Sequence, residues 1–152
     1  MIRKLGKLFL TVCLLAVGGG VVAHAQIGGG TTIQASIPFA FTVGNATLPA
    51  GKYEIKRLDD NATEALEIRS TSGHRAVIFE TENTRARDGQ VASRTELVFD
   101  KFGDEYFLSQ VWVAGLASGS ELLKSGMEKR LAHAGSQPEK HSVAGFLKHL
   151  KP

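Results

Sequence analysis

The chain has 152 residues, with eighteen Lys and Arg, fifteen Asp and Glu, and one cysteine. Hydrophobic residues at 43% and charged residues at 22% are ordinary for one globular domain with its own apolar core. The single Cys13 excludes an internal disulfide, and the net charge of +3 resides in Arg3, Lys4 and Lys7. Without those three, fifteen cations match fifteen anions, which argues against a nucleic-acid binder, since such a domain carries a basic stripe.

Residues 1–25 have the pattern of an export signal. Arg3, Lys4 and Lys7 precede the apolar run Leu8–Val17, which is too short to span a bilayer well. Ala23-His24-Ala25 fits small-x-small cleavage, so the mature chain is expected to begin at Gln26. Cys13 lies inside the apolar run after Val12, unlike a lipid-attachment cysteine, and leaves with the signal. The mature domain then has no bridge and depends on apolar burial, which suits a bacterial periplasm or the exterior. Gln26–Thr32 is glycine-rich and reads as a flexible lead-in. A phosphate-binding loop is excluded there, because no Gly-Lys-Ser/Thr and no helix follow Gly28-Gly29-Gly30.

Ile33–Val43 alternates with a period of two, placing Ile33, Ala35, Ile37, Phe39, Phe41 and Val43 on one strand face. Pro38 interrupts the donor row, so this strand is expected at a sheet edge, where a partner strand could add. Leu48-Pro49-Ala50-Gly51 forms a turn, and Tyr53-Glu54-Ile55 resumes the alternation. Short apolar runs then recur between turn signals: Lys52–Leu58, Ala65–Ser70, His74–Thr81, Thr95–Phe102 and Glu105–Val113. Asp59-Asp60-Asn61 and Thr71-Ser72-Gly73 mark turns, and Phe102-Gly103-Asp104-Glu105 marks a tight hairpin. The consecutive apolar triplets Val77-Ile78-Phe79 and Tyr106-Phe107-Leu108 predict strands covered on both faces.

The fold class that follows is mainly β: an antiparallel sandwich or a small, partly open barrel of about six to eight strands. Ser118-Gly119-Ser120-Glu121 has capping-box form, and Leu122, Leu123, Met127 and Leu131 recur at helical spacing. One C-terminal amphipathic helix is therefore expected over 121–132, closing a single domain of residues 33–132. Residues 133–152, rich in His, Lys and Ser, read as a disordered tail with a short helix near Val143–Leu150.

Ile37-Pro38-Phe39-Ala40-Phe41-Thr42-Val43-Gly44 followed by Leu48-Pro49-Ala50-Gly51-Lys52-Tyr53 resembles the opening of a family of small exported proteins numerous in Acidobacteria. In that family a Pro-Phe-x-Phe strand precedes a Leu-Pro-Ala-Gly-x-Tyr turn. The resemblance continues loosely through Thr95–Val113 and covers about two thirds of the chain. It implies export and a β-rich body, and it carries no functional residue across.

Sites of chemistry are sparse. His133, His141 and His149 are spaced unlike the usual ligand pairs and have no carboxylate or thiolate to complete a metal shell, so neither a metal nor a cofactor is expected. A hydrolase would have to use His74, but no Gly-x-Ser-x-Gly elbow and no His-Glu-x-x-His is present. In the long polar stretch Glu82–Arg94, Arg85, Arg87 and Arg94 are candidates to grip an anion. Phe39, Phe41, Phe79, Phe99 and Trp112 are candidates either for the core or for an apolar pocket, with Trp112 assigned to the core. The function expected is non-enzymatic binding of a protein partner or a small apolar ligand, with no membrane span after signal cleavage.

Overall fold

The computed structural model describes residues 31–58, 64–85 and 90–149. The signal, the lead-in up to Gly30, the turn at Asp59-Asp60-Asn61 and Arg87 lie outside the described residues. Ten strands and one helix follow in order: β1 (Thr31–Ile37), β2 (Phe41–Val43), β3 (Ala46–Leu48), β4 (Gly51–Arg57), β5 (Ala65–Ser70), β6 (Ala76–Arg85), β7 (Glu96–Phe102), β8 (Glu105–Trp112), β9 (Ser118–Leu122), α1 (Gly126–His133) and β10 (Glu139–His149). Eight of the strands close an antiparallel barrel in the order β8-β7-β10-β1-β4-β5-β6-β9, with β9 returning to β8. The hairpin β2–β3 hangs from β8 through one parallel pairing, Thr42 with Phe107.

The period-two rhythm sets the interior. Ile33, Ala35, Ile37, Phe41 and Val43 are buried in one core with Tyr53, Ile55, Leu66, Ile68, Leu97, Phe99 and Val111. Tyr53 sets its ring edge-on to Phe41 and donates its hydroxyl hydrogen to the Pro49 carbonyl at 2.7 Å. That bond satisfies the one polar atom of a buried side chain and fixes the Leu-Pro-Ala-Gly turn. The alternation is not one strand, however. It breaks over Pro38–Ala40, and Gly44, at φ 58°, turns β2 into β3. Nor is β1 an edge: it pairs with β10 on one side and β4 on the other, so strand addition at Ile33–Val43 is ruled out. Pro38 lies in the break, where no ladder bond is required. Phe39 is half-buried, stacked on Tyr106 at 3.8 Å and edge-on to Phe99 and His141, and so caps one barrel end.

The Gly103 hairpin forms as expected, with Phe102 opposite Glu105 and Gly103 at φ 61°. Phe107 and Leu108 are both buried, so β8 is covered on both faces. β6 is not, because Ile78 points outward and is 59% exposed. Trp112 likewise faces out of the barrel. Its ring lies on Gly119, where an added Cβ would come within 2.7 Å, and its indole N–H donates to Gln110 Oε1 at 3.1 Å. It seals the outer wall and is not part of the core cluster.

The C-terminal third departs most from expectation. Ser118–Leu122 is strand β9, pairing with β6 and β8, and not the start of a helix. The helix begins at Gly126, and its capping box is Ser125 with Glu128. Met127 and Leu123 are exposed, so the expected apolar stripe over 121–132 does not form. Residues 139–149 are neither disordered nor helical. They form β10, whose first half pairs with β7 and whose second half pairs with β1. Gly145 allows this passage, since a Cβ there would lie 2.9 Å from Ile33 Cγ2 and 3.1 Å from Thr95 Cγ2. The described strands therefore extend from Thr31 to His149, and Thr31 and Thr32 belong to β1 and not to a flexible lead-in.

Candidate functional site

The site arises from how β6 divides its partners. Ala76–Glu80 pairs with β5, whereas Thr81–Arg85 pairs with β9. Ser70 N–H donates to the Arg75 carbonyl at 2.8 Å, and Thr81 N–H donates to the Glu64 carbonyl at 2.7 Å. These bonds fix the phase of the ladder. In an antiparallel pair, alternate residues exchange bonds with the partner, so Arg75, Val77, Phe79 and Thr81 face β5. The backbone N–H and C=O of Ala76 and Ile78 therefore point away from it, beyond the reach of β9, which meets β6 first at Thr81. On that side lies the hairpin β2–β3, whose outer strand β3 pairs only with β2. Arg75 Nη1 reaches across to the Thr47 carbonyl at 3.5 Å, so a side chain and not a backbone ladder bridges this part of the seam.

Between the two edges is a cleft of about 560 Å³. Its floor includes the buried Val43, Phe79 and Leu122, and its rim includes the exposed Ile78 and Leu123. An opening of this size with an apolar floor is in the range of small-molecule and peptide sites. Glu80, Glu82 and Glu121 stand beside it on the outer face, with Glu82 and Glu121 directly opposite in register. Among the described residues none of the three has a cationic partner, and facing like charges are unfavourable. A second recess of about 400 Å³ lies under the 70% exposed Phe146, beside Gln34, Ser36, Lys52 and Thr71. It crosses strands whose edges are already paired, so the seam is the stronger candidate.

The residues singled out from sequence are scattered. Phe41, Phe79 and Phe99 belong to the core, with Phe41 and Phe99 edge to face at 5.5 Å, and of the five aromatic candidates only Phe79 lines the seam cleft. Arg94 is engaged by Glu96 at 2.7 Å, and Arg85 enters β6 opposite Ser118. The side chains of Arg85 and Arg87 lie outside the described residues. His74 is exposed in the β5–β6 turn and has no hydrogen bond or ion pair with a serine or acid among the described residues. His141 joins the Phe39–Tyr106 stack, and no three His, Cys, Asp or Glu among the described residues gather as a metal shell. The seam itself was not visible from sequence, since it depends on strand register. Its one trace was the outward Ile78 in an apolar triplet.

A buried carboxylate lies elsewhere, at the start of α1. Glu128 is 4% exposed, its Oε2 accepts the Ser125 N–H at 3.1 Å, and its Oε1 is buried without a hydrogen-bond partner. Burial, with the nearby Asp100 carboxylate adding to it, pushes the Glu128 carboxyl above its usual range. The folded state thus binds this proton more tightly than the unfolded one. Its contribution to stability is full below the ordinary carboxylate pKa and is lost as pH rises through the folded value. Glu128→Gln keeps the capping geometry and removes the charge. The variant is expected to be more stable than the parent at neutral pH and to lose the corresponding pH slope, as read by urea denaturation over mildly acidic to neutral pH.

Comparison with protein-family models, curated proteins and solved structures finds no match to this chain.

Proposed function

We propose that this is an exported, non-enzymatic binding domain of the bacterial envelope or exterior, and that its ligand enters the seam between β3 and β6. One observation carries the reading: a cleft whose apolar floor is made of core side chains and which is bordered by strand edge left out of the ladder. The interior is occupied by its own side chains, so an apolar guest is assigned to the seam rather than to the barrel lumen. Export is supported by the signal pattern and by the resemblance of Ile37–Tyr53 to a family of exported proteins. No helix among the described residues is long and apolar enough to cross a membrane.

Native mass spectrometry of the protein recovered from its own envelope fraction tests this. The expected result is a chain beginning at Gln26 with additional bound mass, lost in Ala46→Trp, whose indole would fill the cleft. Retention of residues 1–25, or identical bare masses for parent and variant, would overturn the proposal.

A further inference from the structure

The seam offers more than apolar surface, because its walls are backbone. By this register Ala76 and Ile78 each direct an N–H and a C=O into the opening, with no backbone partner among the described residues. Such groups are satisfied by water or by another strand, and an open edge is a ready template for the latter. β10 repeats the arrangement, in that its first half pairs only with β7. There, Phe39 of the β1–β2 connection lies against His141 on β10. At β6 the corresponding space is the open cleft.

The chemistry of an added strand follows from the two faces it would present. Successive side chains point to opposite faces. The inward set would meet Val43, Val77, Phe79 and Leu122 and must be apolar. The outward set would lie beside Glu80, Glu82 and Glu121, carboxylates with no cation of their own among the described residues, and is best cationic. Building on the binding reading above, we infer that the seam accepts an extended peptide that alternates apolar and basic residues, added as a strand to the Ala76–Ile78 edge of β6.

The probe is an acetylated, amidated heptapeptide alternating lysine and valine, titrated into the processed protein and followed by amide hydrogen exchange. Binding should weaken with salt, as expected for contacts to carboxylates. The amides of Ala76 and Ile78 should become protected, while those of Val77 and Phe79, already in the β5 ladder, should change little. Methylating the peptide nitrogens that face β6 should lower affinity about tenfold or more, because donors on that edge carry the contact. A glutamate–valine peptide should not bind. Glu80→Gln with Glu82→Gln should weaken the lysine peptide, and Ile78→Pro should abolish its binding. Proline removes a donor that β5 does not use and is tolerated at an edge, and near-UV circular dichroism confirms the fold of that variant.

Equal affinity for the methylated peptide, or protection elsewhere on the barrel, overturns the inference. If the peptide fails but envelope-derived protein still carries mass that Ala46→Trp removes, the strand proposal falls and the binding reading stands. If both fail, both fall.

Discussion

A chain ending at Gln137 is expected to be unfolded. The deletion removes β10, which joins β7 through Glu139–Ala144 and β1 through Gly145–His149. β1 and β7 would lose their shared neighbour, and the inner faces at Ile33, Thr95 and Leu97, now packed around Gly145, would open to water. The backbone groups of two strands would lose their partners together, each ladder bond exchanged for water costing about 0.5–1.5 kcal/mol. With the apolar faces exposed as well, the loss is of the order of the roughly 5–15 kcal/mol by which a domain of this size is stable. Far-UV and near-UV circular dichroism of the truncated chain should show loss of the β spectrum and of fixed aromatic signals. A cooperative melting transition with a native spectrum would show that the barrel closes without its last strand.

Phe41→Ala should be among the most damaging of the single aromatic truncations, at about 3–5 kcal/mol. Its ring is 1% exposed and meets Tyr53 and Phe99 edge to face at 5.2 and 5.5 Å. The cavity left would be walled by strands paired to their neighbours, which cannot collapse inward without breaking ladder bonds. Phe39→Ala should cost less, about 1–2 kcal/mol, because the ring is half-buried and water can replace it. Urea midpoints of the two variants at constant slope make the comparison. Equal losses would mean that Phe39 is as much a core residue as Phe41.

These two residues also show what a sequence can say about this fold. They share one rhythm, and that rhythm correctly placed Phe41 in the core and Phe39 against it. It could not show that the strand stops at Ile37, because a proline fits either an edge or a break, and only pairing decides. The tail was hidden for a physical reason. In β10 the inward positions are His141, Val143, Gly145 and Leu147, and the position most tightly enclosed carries no side chain at all. A strand whose inner face is empty where packing is closest gives almost no apolar alternation. At Ser118–Glu121 a cap pattern occurred by chance beside leucines, while the real box formed at Ser125 and Glu128. Tertiary closure of the barrel through β9 overrode the local preference. The candidate site was less legible still. No residue type marks it, since it consists of hydrogen-bonding groups common to every residue and left over by register.

The position of β10 has a consequence for timing. Among the described strands β10 follows all the others in the chain and is the neighbour of β1, so the ring cannot shut until β10 has been made. Pairings that span the whole chain are also slow to find. On the export proposed above, such a delay is useful to a polypeptide that threads a translocation channel. In that case the chain stays pliable through its passage, and β10 locks the barrel on the far side.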